Sequence, residues 1–548
     1  MIMTDRRLHR RQLLRGAAAG AVALGGTGLL GACTDSGGTT GNQQSRTKIT
    51  LPDYVPFTGV TADLPATAAG VQPAFYRYPG TPEPFTDPAT TPITSGQAVA
   101  SAAIINNVVK ERSANRYWQE LERRLGAELT VLGAPTANFP AKLATILASG
   151  DIPDIVQLYQ TTQLPGLLKA KFADLTEQLG GAAIKDYPAL ANIPTLSWPA
   201  GVYNNGIYGI PQHRTPQVIS LIVRDDIAAE LGVGIEPSSG EELRELFRQL
   251  SDPKHNRWAE RSPRNMMQYV GQMVGAPNTW RVEGGVFTRD YATEEYRQTL
   301  DIVGQLWKEG VFHPDSFNAV SAQVTAWIAA GTVRMVSGPG AFFPSAKAVK
   351  DEDPAHTVAV VRPPKWEGGG WAPQYLGPAI LCITALKQAA PERITELLRM
   401  LNYLAAPFGT AEELFLSSGI EGVHHTLKDG NPVPVEDAGG EIFNVGYLMS
   451  PPRVHYVAGF PDVAEQEYRA EESAVADGIP WPTAGLYSQT DETKGVTLGK
   501  TMSSLQDEVI RGQRTLQDWD EAVAAWKRDG GDQIAAEYAE SLQQTGGS

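Results

Sequence analysis

Residues 139–156 read Phe-Pro-Ala-Lys-Leu-Ala-Thr-Ile-Leu-Ala-Ser-Gly-Asp-Ile-Pro-Asp-Ile-Val, and the order of turn signals in this run decides the fold. Phe139 to Ala148 reads as a helix, with Pro140 tolerated in the first turn because its missing N–H has no partner there anyway. Ser149-Gly150-Asp151 ends it, since glycine takes the left-handed C-terminal turn at no steric cost. Pro153 then blocks helical continuation, and Asp154-Ile155-Val156-Gln157-Leu158-Tyr159 reads as a buried strand. Upstream, Ala127-Glu128-Leu129-Thr130-Val131-Leu132 reads as another strand. From about residue 103 onward, short apolar strands alternate with amphipathic helices, the pattern of α/β architecture. The helices are expected at Glu241 to Leu250, Glu294 to Trp307, Glu392 to Leu404, Thr501 to Arg511, and Trp519 to Lys527 running towards Tyr538. Residues 52–100, rich in Pro, Thr and Ala, carry only scattered strands, and no internal repeat at a fixed period is evident.

The first residues carry an address. Arg10-Arg11-Gln12-Leu13-Leu14-Arg15 precedes a Gly/Ala-rich apolar stretch and then Leu30-Gly31-Ala32-Cys33. A basic twin-arginine region, a weakly apolar core and a small-residue cleavage site form a signal peptide. Its end resembles the lipobox of bacterial lipoproteins, which implies cleavage before Cys33 and a lipid (palmitate class) on its sulfur. The apolar stretch is too short and glycine-rich to span a bilayer, which takes about 20 apolar residues. Residues 34–47 are Gly, Ser, Thr, Asn and Gln with few apolar side chains, so they read as a flexible tether. The expected place is the outer face of the cytoplasmic membrane, held by lipid.

The full chain of 548 residues has a formal net charge of −15. Loss of residues 1–32 takes away five arginines and one aspartate, leaving 41 basic and 60 acidic residues. Such a surface excludes nucleic acid as a partner, because that binding rests on neutralising phosphates with Lys and Arg. It also leaves the lipid rather than a basic patch as the membrane anchor. Cys33 and Cys382 are the two cysteines. With Cys33 acylated no internal disulfide forms, and Cys382, inside the run Ala379 to Ile383, reads as a buried thiol.

The helix–turn–strand of residues 139–156 resembles that of the extracellular solute-binding proteins of ABC importers. Ala173-Asp174-Leu175-Thr176, Tyr208-Gly209-Ile210-Pro211 and Leu221-Ile222-Val223-Arg224-Asp225-Asp226 are similar to that family's following segments and first interlobe crossing. Phe312-His313-Pro314-Asp315, Val333 to Pro339, Gly419 to His424, and Gly512 to Trp519 followed by Gly530-Gly531-Asp532 continue the resemblance in order. Gly275-Ala276-Pro277-Asn278 and Gly419-Ile420-Glu421-Gly422 look most like the oligosaccharide branch that includes alginate-binding proteins. The resemblance implies an α/β, two-lobed periplasmic-binding-protein-like fold of type 2, with a hinge and an interlobe cleft. The expected N-terminal lobe is residues 48–217 with 376–420, and the C-terminal lobe 218–375 with 421–548. It further implies a monomer that captures an oligosaccharide by lobe closure and delivers it to an ABC permease, with no catalysis and no cofactor.

Sugar sites need aromatic rings for pyranose faces and planar hydrogen-bonding groups for hydroxyls. The candidates, taken at strand ends and crossings, are Tyr159 and Gln160; His213, Arg214 and Gln217; Trp280; Phe342, where the family places an aromatic; and Trp371 with Tyr375. On this reading Trp371→Ala weakens sugar binding about tenfold or more. Arg214 would suit an acidic sugar. In the oligosaccharide branch a calcium loop of EF-hand type often follows Asp252-Pro253. Asp252, Asn256 and Glu260 have the right donor type, but Lys254, Arg257 and Arg261 stand where ligands or glycine are needed, so a degraded loop without metal is expected.

Several motifs are decoys. Gly26-Thr27-Gly28-Leu29-Leu30-Gly31 matches a dinucleotide fingerprint but follows no strand. Gly495 to Thr501 is one residue short of a phosphate loop and reads as a helix start. His424, His425 and His455 lack zinc-ligand spacing, and no serine nucleophile elbow is present. Two rival functions stay open. A lipid-anchored glycoside hydrolase needs two carboxylates across a cleft, which 60 acids do not exclude. A non-transporting sugar receptor would use the same fold.

Overall fold

The computed structural model describes residues 49–544, except residues 81, 88, 107, 160–163, 218 and 436–439. The signal peptide, Cys33, the tether 34–47 and Gln160 lie outside the described residues.

The helix–turn–strand unit forms as its residues dictate. The helix Phe139–Ser149 has Pro140 in its first turn and ends at Gly150, whose φ of 77° is the left-handed conformation a side chain resists. Its buried face is Phe139, Leu143 and Ile146. The strand Ile155–Leu158 is buried at all four residues. Ile155 packs on one face with Leu121, Leu190 and Leu397. Val156 and Leu158 pack with Phe139, Leu143 and Phe172. Burial on both faces explains why apolar and polar residues do not alternate along it; its one polar residue, Gln157, is buried and accepts from the Ile104 amide at 2.9 Å. The strand stops short of Asp154, whose carboxylate accepts from the Ala100 amide at 3.0 Å and from Arg393 at 3.2 Å.

Two sheets organise the molecule. The first has the order Leu129–Val131, Val99–Ala102, Ile155–Leu158, Ile380–Leu386, Ile210–His213. Its first three strands are parallel, and Ile380–Leu386 runs antiparallel to both its neighbours. The second has the order Ala359–Val361, Ser220–Val223, Val333–Gly338, Trp258–Glu260. Around it lies a separate core of Leu221, Phe247, Val270, Leu300 and Met335, joined by Trp519 and Tyr538 from the C-terminal helices. The expected helix from Thr501 begins earlier, at Val496, and runs to Ile510. The last helical stretch is two helices, Leu516–Trp526 and Asp532–Gln544, separated at Gly530, whose φ is 156°. Thr515 and Asp518 open the first of these with a reciprocal capping box.

The chain crosses between the sheets after His213, returns between Val361 and Ile380, and crosses again near residue 450. Ala359–Val361 and Ile380–Leu386 are consecutive in chain order yet belong to different sheets. The third crossing falls later than the boundary expected at residue 420. Phe443, Val445, Leu448 and Met449 pack in the first core with Tyr117 and Leu190, whereas Val457 and Val463 pack with Ile222 and Val336 of the second sheet. The segment 443–449 is short 3₁₀ and irregular structure without periodicity, so its apolar residues carried no directional signal. The crossings are tied together: the Gly377 amide donates to Pro216 O at 2.6 Å, and Arg214 N to Ala379 O at 2.9 Å. Among the described residues, no helix is long and apolar enough to cross a membrane.

Candidate functional site

A cavity of about 810 Å³ opens where the two sheets face each other. Open α/β sheets place ligands beyond the carboxyl ends of their strands, and Tyr159 stands there, one residue past Ile155–Leu158. Leu196 and Tyr203 come from the 3₁₀ turn Thr195–Gly201 and the short strand after it, and Ala379 to Ile383 supply the floor. The second sheet's side contributes Thr279, Trp280 and Arg289 from a two-stranded hairpin, and residues 480–496 contribute Trp481, Tyr487, Asp491 and Glu492.

Two wall residues hold strained backbones. Thr279 has φ of 69° and Ala379 has φ of 53°. A β-branched residue there is a real outlier, and such strain persists only where surroundings enforce it. At Thr279 the enforcing contacts are visible. Asn278 donates to Leu376 O at 2.9 Å and to Ile479 O at 3.0 Å, and Thr279 O accepts from the Asp290 amide at 2.9 Å. This turn aims the next residue, Trp280, whose ring meets Tyr538 at 5.6 Å and Trp526 at 6.2 Å. The Arg289 guanidinium lies 5.3 Å above Trp280 and 4.5 Å above Tyr291, and its Nε pairs with Asp290 at 2.8 Å. Asp491 accepts from the Tyr538 hydroxyl at 2.7 Å. Burial and the adjacent Asp491 push the Glu492 carboxyl up to about 7.

The sequence candidates separate in space. Tyr159 and Trp280 are in the cavity wall. His213 ends the strand Ile210–His213, 3% exposed, with Nδ1 2.8 Å from Ser197 Oγ, and burial lowers its imidazole to about 4. Gln217 donates to Gln374 at 3.0 Å, joining two crossings. Phe342 packs in the second lobe's core against Ile222, Val336 and Val349. Tyr375 is buried and donates its hydroxyl to Ala276 O at 2.7 Å. Trp371 is 40% exposed on a surface turn, with Arg362 5.2 Å above its ring, and does not line the cavity. His213, Phe342 and Tyr375 do not line it either, because each is drawn into packing or a hydrogen bond of its own. Arg214 faces a smaller neighbouring pocket.

Trp481, Tyr487, Tyr203 and Tyr538 were not singled out from the sequence. A signal existed for Trp481, which sits between Pro480 and Pro482. An aromatic held in a Pro-rich loop has little helix or strand to pack into, so it is available to a ligand.

The calcium-loop-like segment is used otherwise. Asp252 bridges to Arg257, closing a tight turn, and its carboxylate pairs with His255 Nδ1 at 2.7 Å. Asn256 takes a left-handed φ of 60°. Glu260 is fully buried on the strand Trp258–Glu260, accepting from Ser337 Oγ at 2.6 Å and from the Ser262 amide at 3.1 Å, and burial pushes its carboxyl up to about 7. Among the described residues there is no group of three or more His, Cys, Asp or Glu placed to hold a metal ion.

Two sheets with separate cores, three crossings and an aromatic cleft between them define a ligand-capturing binding protein. The chain belongs to the bacterial extracellular solute-binding protein family, whose model matches residues 117–413. It is similar to the polygalacturonan/rhamnogalacturonan-binding protein YtcQ of Bacillus subtilis, 23% identical over 78% of this chain and 88% of that one. It is also similar to the Lipoprotein LipO of the same organism, 21% identical over the same shares. Among solved structures it resembles the alginate-binding protein AlgQ2 without calcium ion, with a TM-score of 0.60 and 16% identity, over 84% of this chain and 99% of that one.

Proposed function

We propose that the chain is a lipid-anchored receptor that captures an oligosaccharide by lobe closure and hands it to an ABC permease. The observation that carries this is the cleft wall itself. Tyr159, Tyr203, Trp280, Trp481 and Tyr487 surround a cavity of about 810 Å³ that both lobes line. Rings offer apolar faces to pyranoses, and a ligand touching both lobes favours the closed state by its differential contacts. The volume suits an oligosaccharide better than a single small solute. The printed names of the polygalacturonan- and alginate-binding relatives support a glycan ligand.

Anchoring by lipid on Cys33, export through the twin-arginine signal and delivery as a monomer belong to the same reading. Support comes from the lipobox-like Leu30 to Cys33, from the lipoprotein relative, and from the advantage of tethering. A tether of residues 34–47 keeps the receptor near its permease at high effective concentration. A hydrolase reading is less well served by this cleft. Glycoside hydrolysis uses two carboxylates flanking the scissile bond. Among the described lining residues the carboxylates are Asp491 and Glu492, neighbours on one segment. The test is to incubate the protein with glycans and assay both binding by calorimetry and new reducing ends. Saturable binding without new ends is expected; turnover contradicts it.

A further inference from the structure

Residues 49–98 precede both the first strand, Val99–Ala102, and the stretch that the family model matches. Their described part forms a strap gripped by both lobes. On the first lobe, the Phe57 amide donates to Asn192 at 2.9 Å and the Tyr78 hydroxyl to Glu413 at 2.8 Å. Between these two grips the strap reaches the second lobe as a hairpin, residues 64–74, in which Leu64 and Ala74 pair antiparallel. Its loop closes through Gly70 N to Thr67 O at 3.0 Å and Thr67 N to Val71 O at 3.1 Å. Gly70 has φ of 99°, the left-handed place that a three-residue hairpin loop keeps for glycine.

The hairpin is pinned. Val71 and Ala74 are buried against Tyr468, with Val475 beside them. The Tyr468 hydroxyl donates to Pro65 O at 2.9 Å, and the Gln72 amide donates to Glu471 at 3.3 Å. These partners lie on the helix Pro461–Ala476, which packs on the second sheet through Val463 and continues towards Trp481 of the cleft wall. The tip meets the first lobe and its crossing: a Cβ at Gly70 would lie 3.7 Å from Leu196 and 3.8 Å from Pro216. Ala69, Leu196 and Pro216 all line the main cavity. We propose that this hairpin is a specificity element of the cleft, a fixed lip whose small tip residue, Ala69, sets how far a long oligosaccharide extends beyond the aromatic wall. The inference rests on the carbohydrate reading. A lip selects by exclusion, which separates ligands without adding a contact. A loop free to swing would give way to a longer chain; one with buried apolar residues and bonded backbone resists it. The variable is then the side chain at the tip, where a methyl leaves room that a larger group would fill.

The test is calorimetric titration of the full-length protein with glucan, mannan and galacturonan ladders from disaccharide to octasaccharide. The quantity read is the ratio of affinities for the longest and the shortest oligosaccharide that the native protein binds. Ala69→Trp should lower that ratio about tenfold or more, whereas Ala68→Trp, at the neighbouring tip residue outside the cavity lining, should keep it. Both positions are exposed and neither has a left-handed backbone, so both variants should melt with the native protein. An unchanged ratio in Ala69→Trp overturns the lip and leaves the receptor reading intact. An equal fall in Ala68→Trp overturns it too, because bulk anywhere on the tip would then suffice. Failure of the native protein to bind any member of the ladders overturns the receptor reading itself.

Discussion

Trp481 and Trp371 show what decides an aromatic residue's role. Trp481 lines the cleft, and Trp371 stands on the surface under Arg362. Trp481→Ala should weaken glycan binding about tenfold or more, the scale of a lost aromatic platform. Trp371→Ala should leave affinity unchanged, the reverse of what its place in the sequence suggested; calorimetry on both variants checks the contrast. The residue scale is where the sequence was least legible. Tyr159 follows a buried strand and Tyr375 follows Trp371-Ala372-Pro373-Gln374; Tyr375 turns inward to Ala276 and Tyr159 borders the cavity. Nothing in local spacing tells which one reaches the cavity, because that is decided by contacts about a hundred positions away along the chain, such as Tyr375 to Ala276. Thr279 and Ala379 are likewise unreadable from sequence, since a left-handed backbone at a non-glycine is imposed by tertiary hydrogen bonds.

At the scale of elements, the strand Ile155–Leu158 and the helices Pro391–Leu404 and Glu294–Lys308 were legible because each carries its period and its end signals locally. The late third crossing was not, because Phe443 to Met449 has neither. Close approaches also escaped notice. A Cβ at Gly201 would run into the carbonyl oxygen of Gly209, a backbone atom that cannot swing aside. Gly201→Ala should therefore destabilise by about 2 kcal/mol or more, read by chemical denaturation. The helix Pro461–Ala476 makes a second prediction. Its Glu467 and Glu471 hold His455, of the third crossing, at 3.0 and 2.5 Å, and Glu471 also accepts from Thr215 of the first. Burial alone would lower the imidazole, but bonds to the two carboxylates outweigh it and lift the folded value to about 9 from 6.5. A raised folded value means the proton stabilises the fold, fully below pH 6.5, and the contribution is lost as pH rises through about 9. Melting temperature should fall across that window, and His455→Gln should flatten the fall.

The described residues form two lobes joined by three crossings, with residues of both lobes lining the cleft between them. A ligand that touches both lobes should bring them together, so small-angle scattering should show a smaller radius of gyration at saturation. Capture of glycan is settled by a thermal-shift screen of the full-length protein against a panel of acidic and neutral oligosaccharides, repeated with Trp481→Ala. A specific ligand at a hundredfold excess over its Kd adds about 2.7 kcal/mol to stability by mass action. The expected result is a saturable rise in melting temperature with one class of oligosaccharide that Trp481→Ala cuts to about half or less at the same ligand concentration; no rise with any glycan, or an equal rise in the variant, would contradict it.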